Sequence, residues 1–254
     1  MSQKTNTFTD EEWVDRLWDV ENVKQLMARR CYYIYNDARR QELDDLWVKK
    51  PENRATASYG SNWGYYVGME EIARYYVLEH DKRMKARLAL YQKASPSGGV
   101  TDKTGYMNMH TLSTPLVKLA QDGKTCRGMW YDMNAYNDGS PDGSAEELLL
   151  PWQVACDLIK EDGQWKIWHL FMSNDMFITI GKPVSEIPVY PGPGEDPVRE
   201  EFGKPTVPML AHDNTFGWGD MYPPMPEAYY TFDAGNSYGP EGHPESRKLV
   251  EVFP

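Results

Sequence analysis

The sequence predicts an α+β domain, helices first and antiparallel hairpins afterwards, and three observations carry that prediction. Apolar residues recur at helical spacing from the amino terminus to about Gln92. Two Asp-Gly pairs, in "QDGK" and "EDGQ", sit between long alternating runs. From Gly181 onward the chain turns to proline and aromatic residues with no periodic run.

Each element follows from its local pattern. Thr9 with Glu12 makes a capping box, and Val20, Val23, Leu26 and Met27 continue at helical spacing. "NDARR" interrupts this helix near residues 36–39, and a short helix runs on to Trp47. "RATASYGSNWGYYVG" contains short strand-like runs punctuated by Gly60 and Gly64. "MEEIARYYVLEHDKRMKARLALYQ" returns to helical spacing through Ile72, Tyr75, Tyr76 and Leu88, with His80 on an apparently solvated face, and "ASPSGG" ends it. Four strand-like segments follow near residues 105–119, 124–137, 149–160 and 164–180; an Asp-Gly pair between alternating runs is a strong hairpin signal.

The domain organisation reads as a lead-in helix over 1–18, a folded domain over 19–180 and a carboxy-terminal arm over 181–254. Proline removes backbone donors and fixes φ, so the arm is irregular. Its aromatics (Phe202, Phe216, Trp218, Tyr222, Tyr229, Tyr230, Phe232) are too many for a flexible linker. The expectation is an ordered arm packed on the domain or on a neighbouring subunit.

Composition narrows the function classes. A net charge of -11 argues against a nucleic-acid partner, which needs clustered Lys and Arg. The cysteines, Cys31, Cys126 and Cys156, are odd in number and far apart, which suggests neither a disulfide framework nor a zinc site and fits a reducing cytoplasm. No stretch is apolar enough to suggest a membrane span. His80, His212 and His243 lack metal-ligand spacing with another His or Cys, although His212 followed by Asp213 would reach a neighbouring site if the arm closed over it. P-loop, GxGxxG and GxSxG motifs are missing, so the expectation is no metal and no cofactor.

The run "YYIYNDARRQELDDLW", the pair ending in "YYVGMEEI" and the hairpins "MHTLSTPLVKLAQDGKTCRGMW" and "DLIKEDGQWKIWHLFM" resemble the SnoaL-like branch of the nuclear-transport-factor-2 superfamily, over residues 19–180. That group includes scytalone dehydratase, ketosteroid isomerase, polyketide cyclases and cofactor-free lyases of lignin-derived diaryl compounds. The resemblance implies a curved antiparallel sheet forming a cone around the helices, with an apolar pocket inside. In scytalone dehydratase an Asp on the first long helix orients a His on the first long strand, which serves as acid and base. The corresponding positions are Asp37, in "YNDARRQELDDL", and His110, in "MNMHTL"; that enzyme's second His falls at Tyr136 and its strand-borne Asn near Val154.

The residues give this pairing a physical reason. Burial keeps a histidine neutral, and a carboxylate on one ring nitrogen fixes the tautomer and restores basicity. Strand alternation adds Asn108, Leu112 and Thr114 on the same face as His110, and Trp130, Asp132, Asn134 and Tyr136 on the next strand. Leu170 and Met172 face inward on the last strand. A carboxylate at an inward position such as Asp132 is costly unless it is paired or functional. Tyr59 and Tyr33 fall near family pocket tyrosines, and Tyr59 is a candidate donor to a developing oxyanion. Met129, Tyr131 and Met133 fall on the outer face and suggest a homodimer or homotrimer, while His169, also outside, reads as structural.

The resulting expectation is a cofactor-independent lyase, dehydrating or cleaving by a retro-aldol route, acting on a hydrophobic, hydroxylated aromatic or polycyclic small molecule. His110, Asp37, Asp132 and Tyr59 are the catalytic candidates; Tyr33, Asn108, Trp130, Asn134, Tyr136, Leu170 and Met172 are the binding candidates. Three alternatives stay open: an isomerase or cyclase with the same pair, a non-catalytic binding module, and a purely structural subunit whose pocket is filled by its own side chains.

Overall fold

In the computed structural model, residues 8–61, 64–101, 104–138, 147–174, 178–183, 205–208 and 223–242 are described. Helix α1 (Asp10–Tyr35) begins at Thr9, whose side chain accepts from the Glu12 N–H while Glu12 reaches back to the Thr9 N–H. Two of the donors that every helix start leaves unpaired are thereby satisfied. The helix ends at Asn36, and Asp37 takes a positive φ of 57° in the turn to α2 (Arg39–Leu46). Pro51, preset for a first helical turn, opens the short α3 (Pro51–Thr56), which the sequence reading did not foresee.

The antiparallel strands β1 (Ser58–Ser61) and β2 (Gly64–Val67) lead into α4 (Met69–Ala73), a π-helical segment over Arg74–Glu79, and α5 (His80–Ala94). The long strands follow: β3 (Tyr106–Leu119), β4 (Thr125–Asp138), β5 (Glu147–Glu161) and β6 (Gln164–Asn174). Asp162 and Gly163, both at positive φ, form the tight hairpin turn that "EDGQ" predicts. Short strands β7 (Ile178–Thr179) and β8 (Val207–Pro208) complete one sheet in the order β3-β4-β5-β6-β1-β2-β8, with β7 on β5 and β1 parallel to β6.

The sheet curves around the helices. Its concave face packs Val23, Met27 and Ile34 of α1 and Leu46 of α2 against Trp130, Val154, Leu158, Ile167 and Leu170. Gly128 makes room for the Trp130 indole, whose ring occupies the place a Cβ would take. One expected inward residue leaves this face: the register shifts between Ser113 and Leu116, where Thr114 has a φ of 48° and is exposed. A bulge breaks the period-two alternation on which that expectation rested.

The convex face carries a second cluster of Tyr65, Met129, Ala155, Phe171 and Tyr238. Met129 is therefore on the outer face but covered, whereas Tyr131 and Met133 are about half exposed, at 50% and 48%. The segment 223–242 lies on this face. Tyr229 and Tyr230 carbonyls accept from the Gln121 and Asp122 N–H groups, Phe232 packs on Trp168, and the Tyr238 N–H donates to Asp157 at 2.7 Å. Phe202, His212, Asp213, Phe216, Trp218, Tyr222 and His243 lie outside the described residues.

Candidate active site

His110 projects from β3 onto the concave face opposite Asn134, its cross-strand partner on β4. Two residues along β4, the Asp132 carboxylate takes the Nδ1–H of His110 through Oδ2 and the Thr111 N–H through Oδ1, the latter at 2.8 Å. The Asn134 amide donates to His110 Nε2 at 2.8 Å and to Asn108 Oδ1 at 2.6 Å. With a carboxylate on one ring nitrogen and an amide N–H on the other, the imidazole is the neutral tautomer with its proton on Nδ1. Burial lowers the His110 pKa; the Asp132 hydrogen bond and charge oppose that shift, and the nearby Arg30 and Arg39 charges reinforce it.

The carboxylate that orients His110 is thus Asp132, and the expected Asp37–His110 pairing is corrected. Asp37 follows the last turn of α1 with its side chain 30% exposed, and its Oδ1 bonds His80 Nε2 at 2.6 Å. His80 was expected on a solvated face. It lies four residues after buried Tyr76 and eight after buried Ile72, so the helical stripe carries it inward. The charged neighbours Asp81, Lys82 and Arg83 disguise that position in the sequence.

Facing His110 from the helices is a buried ion pair that the sequence reading missed. Arg30 of α1 and Glu42 of α2 are fully buried, with Arg30 Nε 3.2 Å from Glu42 Oε1. Trp47 Nε1 and the Tyr76 hydroxyl donate to Glu42, and Arg30 Nη2 meets Met172 Sδ at 3.4 Å. Burial alone would lower the Arg30 pKa, but Glu42, with Tyr76, Tyr59 and Cys31 adding to it, outweighs that effect and the guanidinium stays charged. Arg30 Nη1 and Asn134 Oδ1 are buried without a hydrogen-bond partner. A signal for Arg30 was available, because it continues the apolar α1 series Val23, Met27, Ile34 at helical spacing.

The remaining candidates divide between two locations. Tyr59 is buried among Trp47, Tyr75 and Tyr76, its hydroxyl 3.3 Å from Met172 Sδ beside Arg30. Burial raises its pKa against the opposing charges of Arg30 and Arg39, so it keeps its proton to donate. Trp130, Leu170 and Met172 line the same core, Asn108 belongs to the His110 network, and Tyr136 meets the edge of the Tyr106 ring. Tyr33 differs in its polar end: the ring is half-buried against the same core, while its hydroxyl donates to Asp45 and accepts from Arg29, outside the His110 network. Among the described residues no group of three or more His, Cys, Asp or Glu side chains forms a metal site.

The SnoaL-like domain family matches residues 15–170, and the chain belongs to that family. No curated protein matches the chain in sequence. Solved structures with a similar fold include a hexachlorocyclohexane dehydrochlorinase, LinA-type3, from Novosphingobium barchaimii, at 13% identity and TM-score 0.46, covering 70% of this chain and 99% of that one. A candidate scytalone dehydratase from Novosphingobium aromaticivorans is 12% identical at TM-score 0.44, over 66% of this chain and 97% of that one. These are likenesses of fold. Among the described residues no helix is long and apolar enough to cross a membrane.

Proposed function

We propose that the protein is a cofactor-independent lyase that eliminates water or cleaves a carbon–carbon bond by a retro-aldol route in a hydrophobic, hydroxylated aromatic or polycyclic molecule. The observation that carries this reading is the buried, neutral His110, held by Asp132 through Nδ1 with its basic Nε2 turned to the interior. A buried, neutral imidazole takes a proton from C–H or O–H and returns it to the departing group, and such a residue typically contributes about 10²–10⁴-fold. In dehydration the proton lost from carbon and the hydroxyl lost from its neighbour leave together as water. In the retro-aldol route the hydroxyl proton is lost, the adjacent carbon–carbon bond breaks to give an aldehyde, and the carbanion takes up a proton.

Arg30 Nη1 and the Tyr59 hydroxyl are the donors for the oxygen that becomes negative in either case. Both unpartnered groups, Arg30 Nη1 and Asn134 Oδ1, support a ligand in this interior, since each buried unpaired polar group costs about 1–3 kcal/mol. The aromatic surroundings, Trp130, Tyr59 and Tyr136, suit a flat apolar body.

A non-catalytic binding module is the second reading. It is favoured by the Asn134 amide, which already occupies His110 Nε2 and which a reacting proton must displace. Hydroxylated aromatic compounds incubated with wild type and with His110→Ala, followed by mass spectrometry for water loss and an aldehyde trap for cleavage, separate the two. Turnover lost in the variant with ligand binding retained supports the lyase. Binding without turnover in wild type identifies a binding module.

A further inference from the structure

The Asn134 amide stands against His110 Nε2, and the surrounding contacts fix which end of it faces the ring. Asn134 lies directly across from His110 in the register of β3 and β4, with Asp132 two residues before it on β4 and Asn108 two residues before His110 on β3. Side chains so placed share one face of the sheet at cross-strand distances. Asp132 takes the Nδ1 proton, so the neutral ring offers a lone pair at Nε2, and only the nitrogen of the amide can meet it. The same nitrogen gives its second N–H to Asn108 Oδ1 at 2.6 Å. Both N–H bonds of the amide are thus spent, while its oxygen, on a residue only 2% exposed, has no hydrogen-bond partner.

This arrangement fails once Nε2 carries a proton. Two N–H groups then face each other across 2.8 Å, and nothing accepts the proton that the ring has gained. A half-turn of the Asn134 amide about its terminal torsion, which is broad and twofold, brings Oδ1 to Nε2–H without moving either strand. Oδ1 then also faces Asn108 Oδ1, so the Asn108 amide turns in step and presents its own N–H. Nothing holds it back, because the Asn108 nitrogen bonds no other group among the described residues. We propose that Asn134 is a positioning residue that follows the proton on His110: its amide donates to Nε2 while the ring is a base and turns to accept from Nε2–H when the ring is an acid, with Asn108 turning beside it.

The amide is then a partner of both protonation states and not an obstacle to one of them. The turn also replaces the unpaired carbonyl oxygen by an N–H, which suits a ligand oxygen that has just lost its proton. Other groups act on the ring through their charge: Arg30 of α1 and Arg39 of α2 act directly, Glu42 of α2 pairs with Arg30, Cys31 of α1 feels Asp132 and Arg30, and Tyr59 of β1 feels Arg30 and Arg39. None of them bonds either ring nitrogen, so a change made at Asn134 reads the amide.

The test is an NMR titration of His110 in isotope-labelled full-length protein, as wild type, Asn134→Leu and Asn134→Asp. With the ring neutral, a scalar coupling is expected between Asn134 Nδ2 and His110 Nε2 across their hydrogen bond. With the ring charged, it gives way to a coupling from Nε2–H to the Asn134 carbonyl carbon. Asn134→Leu lowers the His110 pKa by about one unit, because a hydrogen bond to the charged ring outweighs one to the neutral ring; loss of a fixed donor would raise it. Asn134→Asp, an acceptor that need not turn, raises the pKa by about 1–3 units and shows at every pH the Asn108 amide signals that wild type shows only with the ring charged. It carries the test if Asn134→Leu does not fold. On any compound that is converted, Asn134→Leu lowers kcat by about 10–100-fold, the worth of one hydrogen bond to a charged group, with KM within about threefold; an amide that merely blocks Nε2 would give a faster variant. A nitrogen–nitrogen coupling that vanishes with no contact from Nε2–H to Asn134 means that the ring has swung away, and overturns the inference. So does a raised His110 pKa in Asn134→Leu, or a wild-type ring that stays neutral until the protein unfolds. Only the effect on rate rests on the lyase reading: a protein that converts nothing yet exchanges one coupling for the other refutes the lyase and leaves this inference standing.

Discussion

The two faces of one sheet bury the same residue types to different ends. On the concave face His110 has Asp132 on one nitrogen and Asn134 on the other, with Arg30 close enough to act on its charge. On the convex face, under the segment 223–242, His169 has the Ser58 hydroxyl at 2.9 Å, and burial alone pushes its pKa down to about 3. The carboxylates contrast as well. Asp132 holds a catalytic candidate, whereas Asp157 accepts the Tyr238 N–H and lies 3.5 Å from Arg127 Nε; burial against these partners pushes its pKa up to about 7. Equal burial thus lowers both imidazole pKa values, but at His110 a carboxylate opposes the shift, whereas at His169 only a hydroxyl meets the ring and nothing opposes it.

The largest effect that tests this contrast is on turnover. His110→Ala is expected to lower kcat/KM by about 10²–10⁴-fold on any compound the wild type converts. His169→Gln is expected to leave kcat/KM within about threefold and to lower the melting temperature. Steady-state kinetics and thermal denaturation of the two variants side by side check both. A His169 variant that loses turnover while His110→Ala keeps it would invert the assignment of the faces.

The division between faces was legible in the sequence wherever strand alternation held. Asn108, His110, Trp130, Asp132 and Asn134 follow period two onto the concave face, and the two Asp-Gly pairs fix the hairpins that put β3 beside β4 and β5 beside β6. Contacts between elements distant in sequence were not legible. Nothing local to Asp37 or His80 tells that a left-handed turn brings them together, and the resemblance directed Asp37 to the wrong histidine. Arg30 and Glu42 read as ordinary helix charges because the partners that stabilise them lie on other elements: each other across two helices, and Trp47, Tyr76 and Met172 beyond them. Thr114 was misread because a bulge leaves no clear mark in "LSTPL".

The next effect by size concerns the interior cation. Arg30→Lys keeps a positive charge beside Glu42 but removes Nη1, and it is expected to lower kcat/KM by about 10²-fold, the order found when one oxyanion donor is removed. Arg127→Lys, the matching change on the convex face, is expected to leave kcat/KM unchanged within about twofold. Kinetics at saturating and limiting substrate check this, with circular dichroism to establish that both variants fold.

Stability against pH sharpens the contrast further. The folded-state pKa of Asp157, about 7, lies above its ordinary value of 3.8, so its contribution is complete below pH 3.8 and is lost as pH rises through 7. His169 runs the other way: its folded pKa of about 3 lies below 6.5, so its contribution is present above pH 6.5 and falls away toward pH 3. Asp157→Asn keeps an acceptor for the Tyr238 N–H and abolishes the alkaline loss, which amounts to roughly 4 kcal/mol at most. Denaturant unfolding at intervals from pH 5 to 9 is expected to show a falling wild-type stability and a flatter variant curve. His169→Gln flattens the acid side instead. Parallel curves for wild type and both variants would mean that neither group is held as its burial implies.

The smallest effect asks whether the convex face serves stability alone. Phe232 packs at 4.6 Å between ring centroids on Trp168, whose indole N–H donates to Thr56 on α3, and the same ring lies near His169. Phe232→Ala removes a half-buried ring, so it should cost about 1–2 kcal/mol, less than the 3–5 kcal/mol of a fully buried phenylalanine. If the two faces are as separate as their hydrogen bonds are, that loss appears in the unfolding free energy while kcat/KM and the His110 titration stay unchanged. A Phe232→Ala protein that is as stable as wild type yet shifts the His110 pKa would show the faces to be coupled through β4 and β5. The division between a reactive and a structural face would then have to be replaced by a single responsive sheet.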